Sequence, residues 1–303
     1  MRAIVVGSNG QDGQLVAELL LKRGCEVFGI TRDNCNIHRV DDVFAVVREH
    51  EPAQIYYLAA HHEAAEEVAR RSKSDRTRLS FETNTLGVLN FLEAIRSENP
   101  SCRLFFAASA HIFGAPTGRK QSEETPVSPI CSYGISKAAG YHLCKYYRAK
   151  HGLFAATGIL FNHACSIRGK AFVIPKIVHA AVAAKKGELS EPLVLGDLSA
   201  RVDWGYPPDY ADAMVRILDL AEPSDFIIAT GELHSVLEVV EIAFGTLGLD
   251  WRNHVTERSG VIANPRMAFC GDAARLREVT GWRPTVSFQE MIRLLVRRVH
   301  ENS

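Results

Sequence analysis

The chain has 303 residues, of which 47% are hydrophobic, and its 35 basic residues are balanced by 35 acidic ones. This length and apolar content allow one large domain or two unequal ones. Zero net charge, without aromatic residues interleaved along a basic stripe, argues against a nucleic-acid partner. The seven cysteines form no CxxC pair, so neither a disulfide framework nor a metal site is indicated.

The first residues run directly into a strand pattern, and no apolar run approaches the ~18 residues of a membrane-spanning helix. We therefore expect a cytoplasmic protein without a membrane segment. Strands are predicted over residues 2–6, 26–30, 54–59, 103–108 and 154–161, and helices over 14–24, 40–49, 83–97 and 133–151. This alternation predicts an α/β protein with a Rossmann-type, doubly wound parallel sheet.

The alternation of strands and helices weakens after about Asn162, which indicates a smaller, mixed C-terminal region. We expect a first domain over residues 1–165, with a segment near 200–225 returning to it, and a second domain over residues 166–303. Because no linker rich in Pro, Gly or Ser separates the two, they should pack as one body.

A glycine-rich loop with the pattern GxxGxxG connects the first strand to the first helix. Glycine lets the backbone turn tightly and approach a pyrophosphate, and the helix N-terminus offers free N–H groups to an anion. The loop is therefore a candidate dinucleotide-binding site. Its candidate contact residues are Gly7, Asn9, Gly10, Gln11, Asp12 and Gly13.

The end of the second strand bears on the choice between NAD and NADP. A carboxylate at this position binds the ribose 2′-hydroxyl of NAD, but the strand end and the next two residues, Gly29-Ile30-Thr31-Arg32, contain none. The planar fork of Arg32 suits a 2′-phosphate, so we predict NADP as cofactor. Asp33 follows directly and keeps NAD as the alternative.

Tyr133 and Lys137 form a YxxxK pattern, which puts both side chains on one helix face. The lysine can lower the pKa of the tyrosine hydroxyl, which can then take or give the proton that accompanies hydride transfer. Ser109 follows the fourth strand, where its hydroxyl could bind a reacting carbonyl oxygen. Asn84 completes this candidate catalytic set.

These motifs, in this order and spacing, resemble the extended short-chain dehydrogenase/reductase family. Within it, the runs 158–163 (GILFNH), 203–205 (DWG), 229–236 (ATGELHSV) and 281–284 (GWRP) resemble the GDP-mannose 4,6-dehydratases. The related GDP-4-keto-6-deoxymannose reductases are also similar. The resemblance implies an NADP-binding first domain, a second domain that binds a nucleotide sugar, GDP-linked by comparison with the family, and a homodimer.

The resemblance also implies roles for individual residues. Tyr133 and Lys137 match the catalytic pair, and Ser109 matches the residue that holds the C4 oxygen. Further implied cofactor contacts are Arg32, Asn36, Ile37, Leu58, Ala59, Ala60 and Asn84. Implied substrate contacts are His61, Asn162, Arg201, which would neutralise the pyrophosphate, and Arg266.

His111 stands where the dehydratases carry a glutamate that removes the C5 proton and protonates the C6 hydroxyl. Histidine can transfer protons near neutral pH, so His111 joins the catalytic candidates. The leading hypothesis is a 4,6-dehydratase, which oxidises C4, removes water across C5–C6 and returns the hydride at C6. The alternative is an NADPH-dependent 4-keto reductase, for which Ser109, Tyr133 and Lys137 suffice. An epimerase and a catalytically idle NADP-binding regulator are less favoured.

Overall fold

The structure is a computed structural model that describes residues 1–61, 73–115, 120–163, 172–258 and 268–302. The strands are β1 (Arg2–Val6), β2 (Glu26–Ile30), β3 (Gln54–Tyr57), β4 (Arg103–Ser109), β5 (Ala155–Leu160), β6 (Asn162–His163), β7 (Leu193–Leu195), β8 (Arg201–Val202), β9 (Trp204–Gly205), β10 (Asp225–Ile228), β11 (His234–Ser235) and β12 (Val255–Glu257). The helices are α1 (Gln11–Lys22), α2 (Val40–His50), α3 (Lys73–Phe81), α4 (Gly87–Glu98), α5 (Ser132–His151), α6 (Val173–Lys186), α7 (Pro207–Asp219), α8 (Val236–Thr246), α9 (Ala274–Thr280) and α10 (Phe288–Glu301).

A six-stranded sheet with the order β2-β1-β3-β4-β5-β10 forms the centre of the fold. Every neighbouring pair is parallel. Its central strands are apolar along almost their whole length because helices cover both faces of such a sheet. The predicted doubly wound parallel sheet is therefore confirmed.

Several predicted boundaries differ from those in the structure. The first helix begins at Gln11 rather than residue 14, because the end of the glycine loop is already helical. The third strand ends at Tyr57 rather than residue 59. The helix predicted over 83–97 is a π-helical turn (Glu82–Leu86) that continues into α4, and the Tyr57 hydroxyl donates a hydrogen bond to the Thr83 carbonyl inside that turn.

Two hydrophobic clusters hold the described residues together. The first surrounds the central sheet and also includes apolar residues of α7, β10 and α9. The second lies among α6, α8 and α10, which pack against one another through residues such as Ile177, Val240 and Ile292. The predicted domain boundary between residues 165 and 166 lies outside the described residues.

The fully buried carboxylate of Asp203 joins three separate segments. Its oxygens accept hydrogen bonds from the Thr230 backbone N–H and hydroxyl, at 3.0 and 2.6 Å, and from the backbone N–H of Gly231 at 2.9 Å and of Gly271 at 3.1 Å. Buried backbone N–H groups need acceptors. One side chain thus fixes the loop after β10 and the chain leading into α9 against β8 and β9.

We expect Asp203→Ala to lower the free energy of unfolding by roughly 3 kcal/mol or more, since it leaves several buried donors without an acceptor. Urea titration measures the loss. Asp197→Ala is the matched control, because this carboxylate also accepts backbone and hydroxyl hydrogen bonds, from Ser199, but is exposed. The control should lose less than about 1 kcal/mol. Equal losses in the two variants would contradict the assignment of Asp203 as a structural joint.

Candidate functional site

The loops after β1 and β3 meet at the carboxyl edge of the sheet. The direction of the chain crossovers reverses between these two strands, and ligands of such sheets bind at this point. A Cβ on Gly7, whose φ is +86°, would lie 2.8 Å from the Ala59 nitrogen, and one on Gly13 would lie 2.3 Å from the Gly7 carbonyl oxygen. These positions therefore have no space for a side chain.

The start of α1 has the properties of an anion site. Gly10 is its N-cap residue and has no side chain to cap the first turn, and helix N-termini of this kind are typical sites for anions. Asn9 and Gly10 are exposed beside this turn. The tight glycine loop and this helix end fit the pyrophosphate of a dinucleotide.

The loop after β2 is held by its own polar side chains. Asn34 accepts a hydrogen bond from the Thr31 N–H at 2.8 Å and donates to the Gly29 carbonyl at 2.8 Å, while Arg32 stays exposed. Farther along, Asn36 is exposed and its side-chain oxygen accepts from the His38 N–H. The Ile37 carbonyl accepts from Asn90, which anchors the loop to α4.

A chain of hydrogen bonds connects the loop after β3 to α5. The Leu58 N–H donates to the Val6 carbonyl, and Leu58, Ala59 and Ala60 lead to His61. The His61 N–H donates to the buried Asn84 side chain at 3.1 Å, and Asn84 donates to the Ser136 hydroxyl at 2.9 Å. Ser136 in turn donates to the Tyr133 carbonyl at 2.8 Å.

The four predicted catalytic residues lie together where β4 ends against α5. Lys137 is buried and its Nζ donates to the Ala107 carbonyl at 2.8 Å, with Nζ 6.0 Å from the centre of the Tyr133 ring. The His111 and Tyr133 ring centres are 5.7 Å apart. The Ser109 hydroxyl accepts from the His111 N–H at 3.3 Å and so caps the short 3-10 turn after β4.

Burial controls the electrostatics of this group. Burial lowers the pKa of Lys137 to about 7, and the negative charge of Asp12 partly opposes this shift. Burial also lowers the pKa of His111 below its usual range, which favours the neutral imidazole at neutral pH. The site can therefore hold a lysine that changes charge near neutral pH beside a histidine that can accept a proton.

The predicted substrate contacts are less concentrated. Asn162 lies on β6, directly after the central strand β5, and β6 pairs with β9. Arg201 is exposed on β8, and its described hydrogen bond is to the Leu233 carbonyl rather than to the catalytic group. Arg266 lies outside the described residues. Across the described ranges, no group of three or more His, Cys, Asp or Glu residues could hold a metal, and no helix is long and apolar enough to cross a membrane.

Three further residues contact this site, and none of them was assigned a role from the sequence. Ser136 belongs to the hydrogen-bond chain above, and Phe269 packs against His111 with a ring-centre distance of 5.2 Å. His163 contacts Asp12 of the glycine loop. The position of Ser136 inside YxxxK could have drawn attention to it, whereas the partners of Phe269 and His163 are remote in sequence.

Comparison with known proteins agrees with this architecture. The family model for GDP-mannose 4,6 dehydratase matches residues 34–295. GDP-mannose 4,6 dehydratase 1 of Arabidopsis thaliana is 33% identical, over 97% of this chain and 88% of that protein.

Solved structures show the same fold. RMD from Pseudomonas aeruginosa, complexed with NADPH, superposes with a TM-score of 0.86 at 20% identity, covering 100% of this chain and 99% of that one. UDP-glucose 4-epimerase of Thermus thermophilus, in complex with NAD, has a TM-score of 0.83 at 27% identity, with coverage of 100% and 99%. Because the dehydratase model spans most of the chain and the Arabidopsis relative almost all of it, this chain belongs to the GDP-mannose 4,6-dehydratase family.

Proposed function

We propose that the protein is an NADP-dependent 4,6-dehydratase of a GDP-linked sugar, with GDP-mannose as the substrate that its relatives' names indicate. The observation that carries the proposal is the convergence of Ser109, His111, Tyr133 and Lys137 at the carboxyl end of β4. Incubation with GDP-mannose and NADP⁺, followed by mass analysis, tests it. Loss of one water from the sugar is the expected result.

The cofactor fits the glycine loop, where Gly7 and Gly13 leave no space for side chains and the start of α1 offers N–H groups. The backbone of Gly7, Asn9, Gly10, Gln11, Asp12 and Gly13 would hold the diphosphate, and Arg32, Asn36, Ile37, Leu58, Ala59, Ala60 and Asn84 would surround the rest. When bound, NADP would accept the hydride from C4 of the sugar and return it at C6. NAD is the alternative cofactor.

Tyr133 is proposed to take the proton from the C4 hydroxyl, since its ring lies beside the buried amine of Lys137. In its charged form Lys137 stabilises the tyrosinate, and its bond to the Ala107 carbonyl fixes its position. Ser109 would donate a hydrogen bond to the C4 oxygen as a carbonyl forms there. Substrate contacts are assigned to His61, Asn162, Arg201 and Arg266.

His111 is proposed to remove the C5 proton and to deliver it to the departing C6 hydroxyl. Its burial and lowered pKa keep the imidazole neutral, which is the form that accepts a proton. The His111 and Tyr133 ring centres are 5.7 Å apart, a separation that would let one bound sugar reach both groups. The base and the tyrosine would thus act on adjacent sugar carbons.

One observation favours a second candidate, a GDP-4-keto-6-deoxy-sugar 4-reductase that uses NADPH. The strand end and turn over residues 107–115 contain no Asp or Glu, so no carboxylate base follows β4. Reduction of a ketone at C4 needs only Ser109, Tyr133 and Lys137. Incubation with the 4-keto-6-deoxy sugar nucleotide and NADPH tests this reaction in parallel with dehydration.

The remaining assignments concern the protein's organisation. The two hydrophobic clusters support a cofactor-binding part centred on the sheet and a smaller part, mostly after residue 165, that binds the nucleotide sugar. A homodimer is proposed because Ile135 and Tyr146, about three turns apart on α5, are both exposed on one face. The cytoplasm is the proposed location.

Tyr133→Phe should lower kcat by about 10²–10⁴-fold while NADP⁺ binding persists, because only the proton-transferring hydroxyl is removed. Steady-state kinetics and calorimetric titration measure the two effects. Tyr146→Phe is the matched control, since Tyr146 is an exposed tyrosine on the same helix. A kcat of Tyr133→Phe within a few-fold of the control's would refute the role of Tyr133.

Arg32→Ala should weaken NADP⁺ binding by ~1.5–3 kcal/mol and leave NAD⁺ binding nearly unchanged, because only NADP carries the 2′-phosphate. Calorimetric titration with both dinucleotides gives the comparison. Arg39→Ala removes another exposed arginine of the same loop, one paired with Asp42, and should change neither affinity. Equal weakening of both dinucleotides in Arg32→Ala would instead indicate that Arg32 supports the loop.

His111→Ala should abolish dehydration and the exchange of the C5 proton with solvent deuterium, and His111→Glu should restore both. Because burial lowers the pKa of His111, the neutral form persists to lower pH, and the acid limb of kcat/KM should lie below pH ~6.5. His142→Ala, at an exposed position of α5, is the control. No C5 exchange in the parent protein, together with rapid reduction of a 4-keto sugar, would favour the reductase.

A further inference from the structure

The side chain of His163 links β6 to the glycine loop at the start of α1. Its Nε2 lies 2.9 and 3.0 Å from the two carboxylate oxygens of Asp12, and its Nδ1 lies 2.8 Å from the Phe161 carbonyl oxygen. The ring is buried, 7% exposed, and stacks on Tyr210 with a ring-centre distance of 4.4 Å. The ring is thus fixed on its edges and on one face.

The partners of the two ring nitrogens determine its charge. A carbonyl oxygen only accepts hydrogen bonds, so Nδ1 must carry a proton. An ionised carboxylate also only accepts, and Asp12 already accepts from the Gln11 side-chain amide at 2.9 Å. With Asp12 ionised, both ring nitrogens of His163 face oxygen atoms that only accept hydrogen bonds, and this geometry fits an imidazolium–carboxylate pair.

The place of this pair explains why a compensating charge is needed. Asp12 lies in the first turn of α1, at the helix end that would receive the diphosphate of the proposed cofactor. Without a positive charge in contact with it, a carboxylate there would repel the diphosphate, because charges are weakly screened in part-buried surroundings. A protonated His163 in contact with Asp12 would offset this charge, and Asn162, a proposed substrate contact, precedes His163 on the same short strand.

We propose that Asp12 and His163 are a positioning pair for the reaction, which compensates charge beneath the cofactor diphosphate and holds the strand carrying Asn162 against the cofactor loop. This inference rests on the proposed function only in that a nicotinamide dinucleotide occupies the glycine loop. The ion pair of Arg148 with Asp225, at 2.8 Å between α5 and β10, is a purely structural comparison. Cofactor affinity should not depend on which of its two charges is removed.

Dinucleotide binding by the parent chain, two single variants and their double variant tests how each charge of the pair affects cofactor affinity. His163→Gln removes the ring nitrogen that contacts the Asp12 carboxylate, and with it the proposed compensating charge, and should weaken NADP⁺ binding roughly tenfold. Asp12→Asn removes the negative charge and should bind NADP⁺ as tightly as the parent protein or more tightly. The double variant removes both charges and should recover an affinity within about threefold of the parent. Calorimetric titration, repeated with NAD⁺, gives the four dissociation constants.

A thermal melt of each form separates stability from binding. Both single variants should lower Tm, and so should the control Arg148→Gln, which breaks the part-buried pair with Asp225. The control should nevertheless keep the parent affinity for NADP⁺. Equal weakening in both single variants without recovery in the double variant would overturn the proposal, as would parent-like binding by His163→Gln.

Turnover supplies an independent readout. His163→Gln should raise KM for GDP-mannose more than it lowers kcat, since the strand bearing Asn162 loses its anchor while the catalytic group is unchanged. An unchanged KM in an active variant would contradict the anchoring role. If the parent binds the dinucleotide but turns over no sugar, only the proposed reaction fails. The four dissociation constants then still test the role of Asp12 and His163 in cofactor binding. If the parent binds neither NADP⁺ nor NAD⁺, both proposals are overturned.

Discussion

The parallel direction of the six central strands is the constraint on which the rest of the molecule depends. Because the strands run in the same direction, every carboxyl end lies at the same edge of the sheet, and crossover connections return the chain to the opposite edge. The glycine loop after β1, Ala59 after β3, Ser109 at the end of β4 and Asn162 after β5 therefore meet at one edge. The reversal of crossover direction beside β1 leaves the opening at which such sheets bind ligands.

Burial of charge gives this edge its chemical character. Lys137 is buried with the Ala107 carbonyl as its acceptor and the Phe106 ring 5.1 Å from its Nζ, so its charge is weakly solvated. This explains why the pKa of Lys137 falls to about 7 and why the carboxylate of Asp12 affects it. In such surroundings a charge acts on its neighbours over longer distances than it would in water.

The features predicted correctly are those with local causes. Apolar runs marked the central strands, and the four-residue spacing of Tyr133 and Lys137 put both on one face of α5. The features that depend on remote contacts were not predicted. The π-helical turn before α4 contains the carbonyl that Tyr57 binds, and the partner of His163 lies 151 residues away. The hydrogen bonds to Asp203 could not be predicted either, because the groups that donate them lie in two distant segments of the chain.

The sequence by itself determined the fold class, the glycine loop and the candidates for acid–base residues, because strand and helix periodicity and the YxxxK spacing are properties of neighbouring residues. Only the tertiary structure decided the protonation tendencies of Lys137 and His111, since both depend on how much surrounding chain excludes water. It also decided the pairing of Asp12 with His163. That contact exists only where β6 is brought against the start of α1, and no local pattern encodes a distance between segments so far apart.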